Sequence, residues 1–261
     1  MSSKDKPKKD EPFFVGWAPT DKIDRRFLLR ASLSLIAIGA GAGALVAAVQ
    51  LPPGDGMWNP DDERDWAGLV VRDPYPMLRT RALDGTPRTA FVVSSSKRGV
   101  QQRLGDFAGP AVIRGSLIAR GKNAMIAVSD EPTWLRAANE QEVAQIGGGL
   151  AAWQAADRGA VVYRGEILDS KCWFGAMRPG QGKPHKSCAA LCIRGGLPPV
   201  FCLGDLCGTG ENIPLLTDAA GAPHGLDLLA LVGDPVIASG RLMQTGDVTE
   251  FRVDLADIRR L

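Results

Sequence analysis

From Ala31 to Gln50 the chain reads ASLSLIAIGAGAGALVAAVQ, 20 consecutive residues without a charge. At about 1.5 Å of rise per residue, such a helix spans a hydrocarbon core of roughly 30 Å. The pattern predicts a membrane helix over residues 27–50, so the lipid bilayer is the first expected partner. Proline, glycine and acidic residues then predict a linker over residues 51–66. Beyond it the apolar positions fall in short runs punctuated by glycine, the pattern of short strands and tight turns.

Two of these runs repeat each other. GPAVIRGSL, from Gly109 to Leu117 and followed by Gly121, parallels GDPVIASGRL, from Gly233 to Leu242 and followed by Gly246, with one inserted residue. Both end in the spacing G-x-L-x-x-x-G. Each predicts a strand, a glycine turn and a return strand, at Ala124 to Val128 and at Glu250 to Val253. Arg81 to Gly85 and Glu166 to Ser170 are matched as the first strands of the two copies. A glycine in mid-strand suits a sharp bend into a small barrel. The fold class predicted is therefore mainly β, an N-terminal transmembrane helix followed by two tandem OB-like barrels, at residues 67–130 and 159–261. A single mixed β-sandwich is the alternative. Residues 131–158 connect the modules, with a helix from Trp134 to Ala144 ending at the glycines 147–149.

Charge orients the chain. Lys4, Lys6, Lys8, Lys9, Lys22, Arg25, Arg26 and Arg30 precede or open the apolar stretch, and Asp55, Asp61, Asp62, Glu63 and Asp65 follow it. The positive-inside rule then puts the tail, residues 1–26, in the cytoplasm and the modules in a periplasm. Asp24-Arg25-Arg26-Phe27-Leu28-Leu29-Arg30 resembles a twin-arginine export signal, with aspartate in place of the usual serine. Arg25 and Arg26 serve equally well as a plain topological anchor. Cleavage after Ala48 is a further option, but the apolar Phe13-Phe14-Val15-Gly16-Trp17 favours an uncleaved tail. Gly39, Gly43 and Ala47 clear one helix face for close approach of a second helix, which predicts an integral membrane protein partner. A net charge of +2 and the lack of an aromatic and basic platform exclude nucleic acid.

Candidate chemistry is concentrated in DSKCWFGAMRPGQGKPHKSCAALCIRGGLPP, residues 169–199, which holds three of five cysteines and one of two histidines. Pro184 opens and Gly195-Gly196 close a predicted helix that puts His185, Cys188 and Cys192 on one face. The strand ending near Ser170 brings Cys172 over that face. One nitrogen and three sulfurs suit zinc, and equally an iron-sulfur cluster with one histidine ligand. Disulfides involving Cys172, or a redox-active thiol, remain alternatives, because Cys188 and Cys192 are poorly placed to bridge each other. Cys202 and Cys207, near Gly204 and Gly208, are a candidate disulfide of an oxidising compartment. His224, in a turn, is read as a solvated loop residue.

The motif DSKC, with Asp169 to Cys172, and HxxCAxxCIxGGxPP, with His185 to Pro199, resembles that of a family of bacterial membrane-anchored proteins. The resemblance covers the C-terminal module only. It implies that Cys172, His185, Cys188 and Cys192 act as a unit and carries no activity. No Ser-His-Asp order, carboxylate pair, phosphate loop or dinucleotide fingerprint points to a stand-alone enzyme. Together these features suggest a periplasmic accessory subunit of a redox membrane complex. The rivals are a thiol-disulfide or metal-delivery protein, and a binding module stapled by disulfides.

Overall fold

The computed structural model describes residues 22–49, 55–81, 85–146, 153–204, 207 and 213–261. The apolar patch at residues 13–17 and the glycines 147–149 lie outside them. Two units result, residues 1–52 and 53–261. Within the first, α1 (Lys22–Ala48) is one uninterrupted helix, long and apolar enough to cross a membrane, with none of its side chains buried. Arg25 and Arg26 lie in its first turns, and among the described residues nothing outside the helix lies within 4 Å of where a Cβ on Gly39 or Gly43 would stand.

The second unit holds two closed five-stranded barrels of the same topology. The first consists of β1 (Met57–Val71), β2 (Met77–Arg81), β3 (Pro87–Ser94), the short helix α2 (Gln101–Leu104), β4 (Gly109–Arg120) and β5 (Asn123–Val128). Its strands run in the order β1-β2-β3-β5-β4, and β4 closes on β1. All neighbours are antiparallel except β3 and β5. Strand β6 (Leu135–Ala137) adds to the outside of β4, and α3 (Glu140–Ile146) follows. The second barrel repeats the plan with β7 (Ala156–Asp169), the helix α4 (Lys186–Arg194), β8 (Pro199–Leu203), β9 (Leu215–Thr217), β10 (Pro235–Thr245) and β11 (Val248–Arg252). Here the parallel pair is β9 and β11, and β10 closes on β7 and takes up β12 (Ile258–Arg260). This is the OB-like tandem expected from the strand pattern.

The repeated glycines have distinct tasks. A Cβ on Gly115 would lie 2.4 Å from the Ala127 carbonyl oxygen, and one on Gly240 would lie 2.2 Å from that of Arg252. Gly68 on β1 and Gly165 on β7 are blocked in the same way, by the carbonyls of Arg79 and Cys202. Each barrel thus closes by letting strands one and four pass too near a neighbour for any side chain. The later glycines of the motif, Gly121 and Gly246, sit at φ of 54° and 60° and turn the chain into the return strand.

Three expectations need correction. The first barrel begins at Met57, inside the segment read as a linker, because the acidic residues there face outward from a strand. Arg114 pairs with Glu63 at 3.4 Å and Asp65 at 3.6 Å. Pro60 falls where the β1–β4 register shifts, between Trp58 and Glu63, so it interrupts no regular ladder. The true counterpart of β7 is β1, and Arg81 ends β2, so Arg81 to Gly85 is not a first strand. The helix read from Trp134 starts instead at Glu140, since Leu135–Ala137 pairs with β4. Its start is a capping box: Glu142 N–H donates to Asn139 Oδ1 and Asn139 N–H to Glu142 Oε2, each at 2.9 Å.

Three apolar cores result. Leu78, Val92, Ile113 and Ile126 fill the first barrel, and Ile167, Phe201, Leu216 and Phe251 fill the second. The third lies between the barrels, where Met77, Phe91, Val93, Ile118 and Met125 of the first meet Trp173, Phe174, Leu197 and Val200 of the second. Because strand side chains alternate, these β2, β3 and β5 residues are the outward set of strands whose inward set fills the barrel.

Replacing Gly115 or Gly240 by valine should destabilise its barrel by about 1–3 kcal/mol through overpacking. Urea unfolding monitored by circular dichroism checks this, and an unchanged midpoint would contradict the close strand approach.

Candidate metal centre

Strand β7 ends at Asp169, and the 29 residues that follow before β8, residues 170–198, carry the site. The chain leaves the strand through a π-helical turn, Cys172–Ala176, inside which Gly175 adopts φ of 151°. A side chain there would meet the Met57 amide nitrogen at 2.6 Å, so the turn lies directly on the start of the first barrel. A 3-10 turn, Lys183–His185, with proline near its start, leads into α4, whose end is marked by Gly195. Pro184 and the glycine pair thus bound the helix as their positions predict.

Asp169 is fully buried and organises the turn. Its Oδ1 accepts the Cys172 amide at 2.8 Å, and its Oδ2 lies 2.9 Å from His185 Nε2. Cys172, Cys192 and His185 are buried, and Cys188 is half-buried. Cys172 Sγ and Cys188 Sγ stand 3.8 Å apart. Ligand atoms of Cys172, His185 and Cys188 lie within 4.8 Å of one another, as do those of Asp169, Cys172 and Cys192. The four residues singled out in the sequence therefore do converge, in two overlapping groups that share Cys172. Cys202 and Cys207 form the expected disulfide, with Cα atoms 5.1 Å apart. His224 departs from expectation: it is half-buried, and that burial lowers its pKa.

The first barrel completes the surroundings. Lys97, from the loop after β3, puts Nζ 2.6 Å from Cys188 Sγ, and this contact raises the lysine pKa. Lys171 is buried and donates to the carbonyls of Ser94, Ser95 and Ser96. Burial draws its pKa down to about 8. Its ammonium also lies 5.0 Å from the centre of the Trp58 ring. Contact with Cys192 and burial raise the pKa of Cys172, while the Cys172 thiol, as donor, lowers that of Cys192.

Further bonds tie the barrels at this point. Gly99 N–H donates to the Gly195 carbonyl at 2.8 Å, and Gln101 Nε2 to the Gly196 carbonyl at 2.8 Å. On another part of the seam Asp247 accepts from Thr89 N–H at 2.8 Å and Thr89 Oγ1 at 2.6 Å.

Such an arrangement supports two kinds of chemistry. Three thiols and an imidazole oriented by a carboxylate form a ligand set for a soft or borderline metal ion. The same Asp169–His185 pair beside thiols is also the geometry that activates a cysteine. Of the three thiols only Cys188 is open to solvent. Asp169, Lys97 and Lys171 were not among the candidate ligands read from sequence. Asp169 and Lys171 lie within the DSKC motif, which marked them, but nothing local marks Lys97.

No family model matches the chain, and comparison with curated proteins and with solved structures finds no match.

Replacing Lys171 by methionine leaves three carbonyls without their donor and should cost about 1–3 kcal/mol. Arg98→Met, on the exposed neighbouring loop, should stay within about 0.5 kcal/mol. Chemical denaturation of both variants checks the difference.

Proposed function

We propose that the protein is a single-pass accessory subunit of a redox membrane complex, anchored by α1, with both barrels in the periplasm. One zinc ion is held by Cys172, His185, Cys188 and Cys192, all in the insertion of the second barrel. The observation that carries the metal reading is the 3.8 Å separation of Cys172 Sγ and Cys188 Sγ. Two sulfurs on a tetrahedral zinc, each bound at about 2.3 Å, stand about 3.8 Å apart. A four-iron, four-sulfur cluster, which takes one protein ligand on each iron, suits this spacing less well.

Electrostatics agrees. Three thiolates and a divalent ion leave one negative charge, and Lys97 and Lys171 stand beside it. Asp169 takes up His185 Nε2, which leaves Nδ1 for the ion in the manner of carboxylate-histidine-zinc sites. The Cys202–Cys207 disulfide supports an oxidising compartment, and an ion there keeps the remaining thiols from bridging. The DSKC and HxxCAxxCIxGGxPP resemblance supports treating the four ligands as one unit. Arg25 and Arg26 support export of an already folded chain, and Gly39, Gly43 and Ala47 support a helix partner in the membrane.

A thiol-disulfide role is the second reading. The same 3.8 Å separation favours it, since a small movement would bridge Cys172 and half-exposed Cys188.

Protein isolated from its native membrane should carry one equivalent of zinc and no visible absorption. Each of Cys172→Ser, His185→Ala, Cys188→Ser and Cys192→Ser should abolish stoichiometric binding, whereas Cys202→Ser and Cys207→Ser should retain it. Metal-free protein with a Cys172–Cys188 bridge by mass spectrometry would establish the second reading instead.

Changing Gly39 and Gly43 to leucine should reduce co-purification of other membrane proteins, and a reporter fused after residue 55 should be active only outside the cytoplasm. Unchanged recovery of the same partners would remove the accessory role.

A further inference from the structure

The two barrels share a topology but not an interior. The second is closed by Phe201 and Phe251, whose rings meet edge to face at 5.3 Å. Inside the first, Ala90, Ala111 and Ala124 stand among the core residues. Small side chains leave room. A cavity of about 450 Å3 opens at one mouth of the first barrel, floored by Ala90, Leu117, Ala124, Ile126 and Trp66. That is within the roughly 300–1,000 Å3 typical of small-molecule sites, and the floor is apolar.

Polar groups gather at the mouth. Arg64, Arg81 and Arg88 line it together with Asp62 and Asn59. Asp62 is engaged by Arg64 in a two-pronged pair, at 2.9 and 2.7 Å, so its charge is answered. Arg81 donates through Nη1 to the Gly85 carbonyl at 3.1 Å, and Arg88 through Nη2 to the Gly121 carbonyl at 3.1 Å. Each contact uses one edge of a guanidinium that offers five N–H donors. Among the described residues the mouth thus holds positive charge and further donors, above a floor where Trp66 Nε1 and Thr80 Oγ1 are taken up by the Gly115 and Ala67 carbonyls.

We infer that the first barrel binds a medium-chain fatty carboxylate, its acyl chain in the cavity floored by Ala90 and Ala124 and its carboxylate between Arg81 and Arg88. An apolar floor alone would take any small apolar molecule. The two arginines at the mouth select an anion, and a planar guanidinium matches a carboxylate through two parallel hydrogen bonds. This site is separate from the cysteine centre, uses none of its residues and stands whether or not a metal is bound there.

Calorimetric titration of the full chain in amphipol with decanoate tests it, with decanol and benzoate as comparisons. Saturable, one-to-one decanoate binding is expected, with decanol and benzoate weaker by about tenfold or more, since each lacks one half of the match. Ala124→Leu, which fills the floor, should abolish binding, and Arg81→Gln with Arg88→Gln should weaken it about tenfold or more while the circular dichroism melt stays near that of the wild type. Should Ala124→Leu fail to fold, the variants at Arg81 and half-buried Arg88 carry the same test. Absence of saturable binding, equal binding of decanol, preference for benzoate, or undiminished binding by the arginine variants would overturn the proposal.

Discussion

A carboxylate sealed from water must be hydrogen-bonded or neutralised, and Asp169 meets that demand at the junction of three segments. It closes β7, accepts the first amide of the π-helical turn and faces the imidazole that begins α4. Satisfying both oxygens fixes where the strand stops, where Cys172 points and how His185 is turned. The thiols of α4 then meet Cys172 without further adjustment. Ser170, equally buried, reinforces the corner by donating to the Pro198 carbonyl at 2.8 Å, so the loop's exit is held beside its entrance.

The insertion does more than carry cysteines. In a barrel of this topology the outer faces of the second, third and fifth strands are apolar enough here to need a cover, and Trp173, Phe174 and Leu197 provide it. Phe91 and Phe174 stack with centroids 6.1 Å apart, and Arg120 lies 4.1 Å over the Trp173 ring while donating to the Trp173 carbonyl. The loop that holds the cysteines is therefore also the surface on which the first barrel rests. Cys188 and Lys171 of this loop contact Lys97 and the Ser94–Ser96 carbonyls across the seam.

The two barrels share their closure and differ outside it. The closure devices are retained in both copies, with glycines at the same two crossings and left-handed glycines at the same turns. What differs is the connection between the first two strands, short in one copy and enlarged in the other, and the size of the inward side chains. Strand pairing tolerates both changes because the loop lies outside the ladder and the interior can be filled by rings or left partly open.

Much of this was legible from sequence for local reasons. Twenty uncharged residues dictate a helix of membrane length, and glycine spacing dictates where strands bend and turn, since both depend only on near neighbours. The helical phase of His185, Cys188 and Cys192 follows in the same way from proline and glycine at its ends. Local reading failed where long-range pairing overrode it: acidic, proline-bearing residues 57–66 resemble a linker until β4 supplies hydrogen bonds and Arg114. Leu135–Ala137 likewise became a strand because β4 had a free edge. Lys97 beside Cys188 lies 91 residues away in the chain, and no local pattern encodes that approach. The sequence by itself determined the helix, the barrel rhythm and the grouping of Cys172, His185, Cys188 and Cys192; only tertiary structure decided which surface of the first barrel faces the thiols, since that choice rests on apolar faces meeting across the seam.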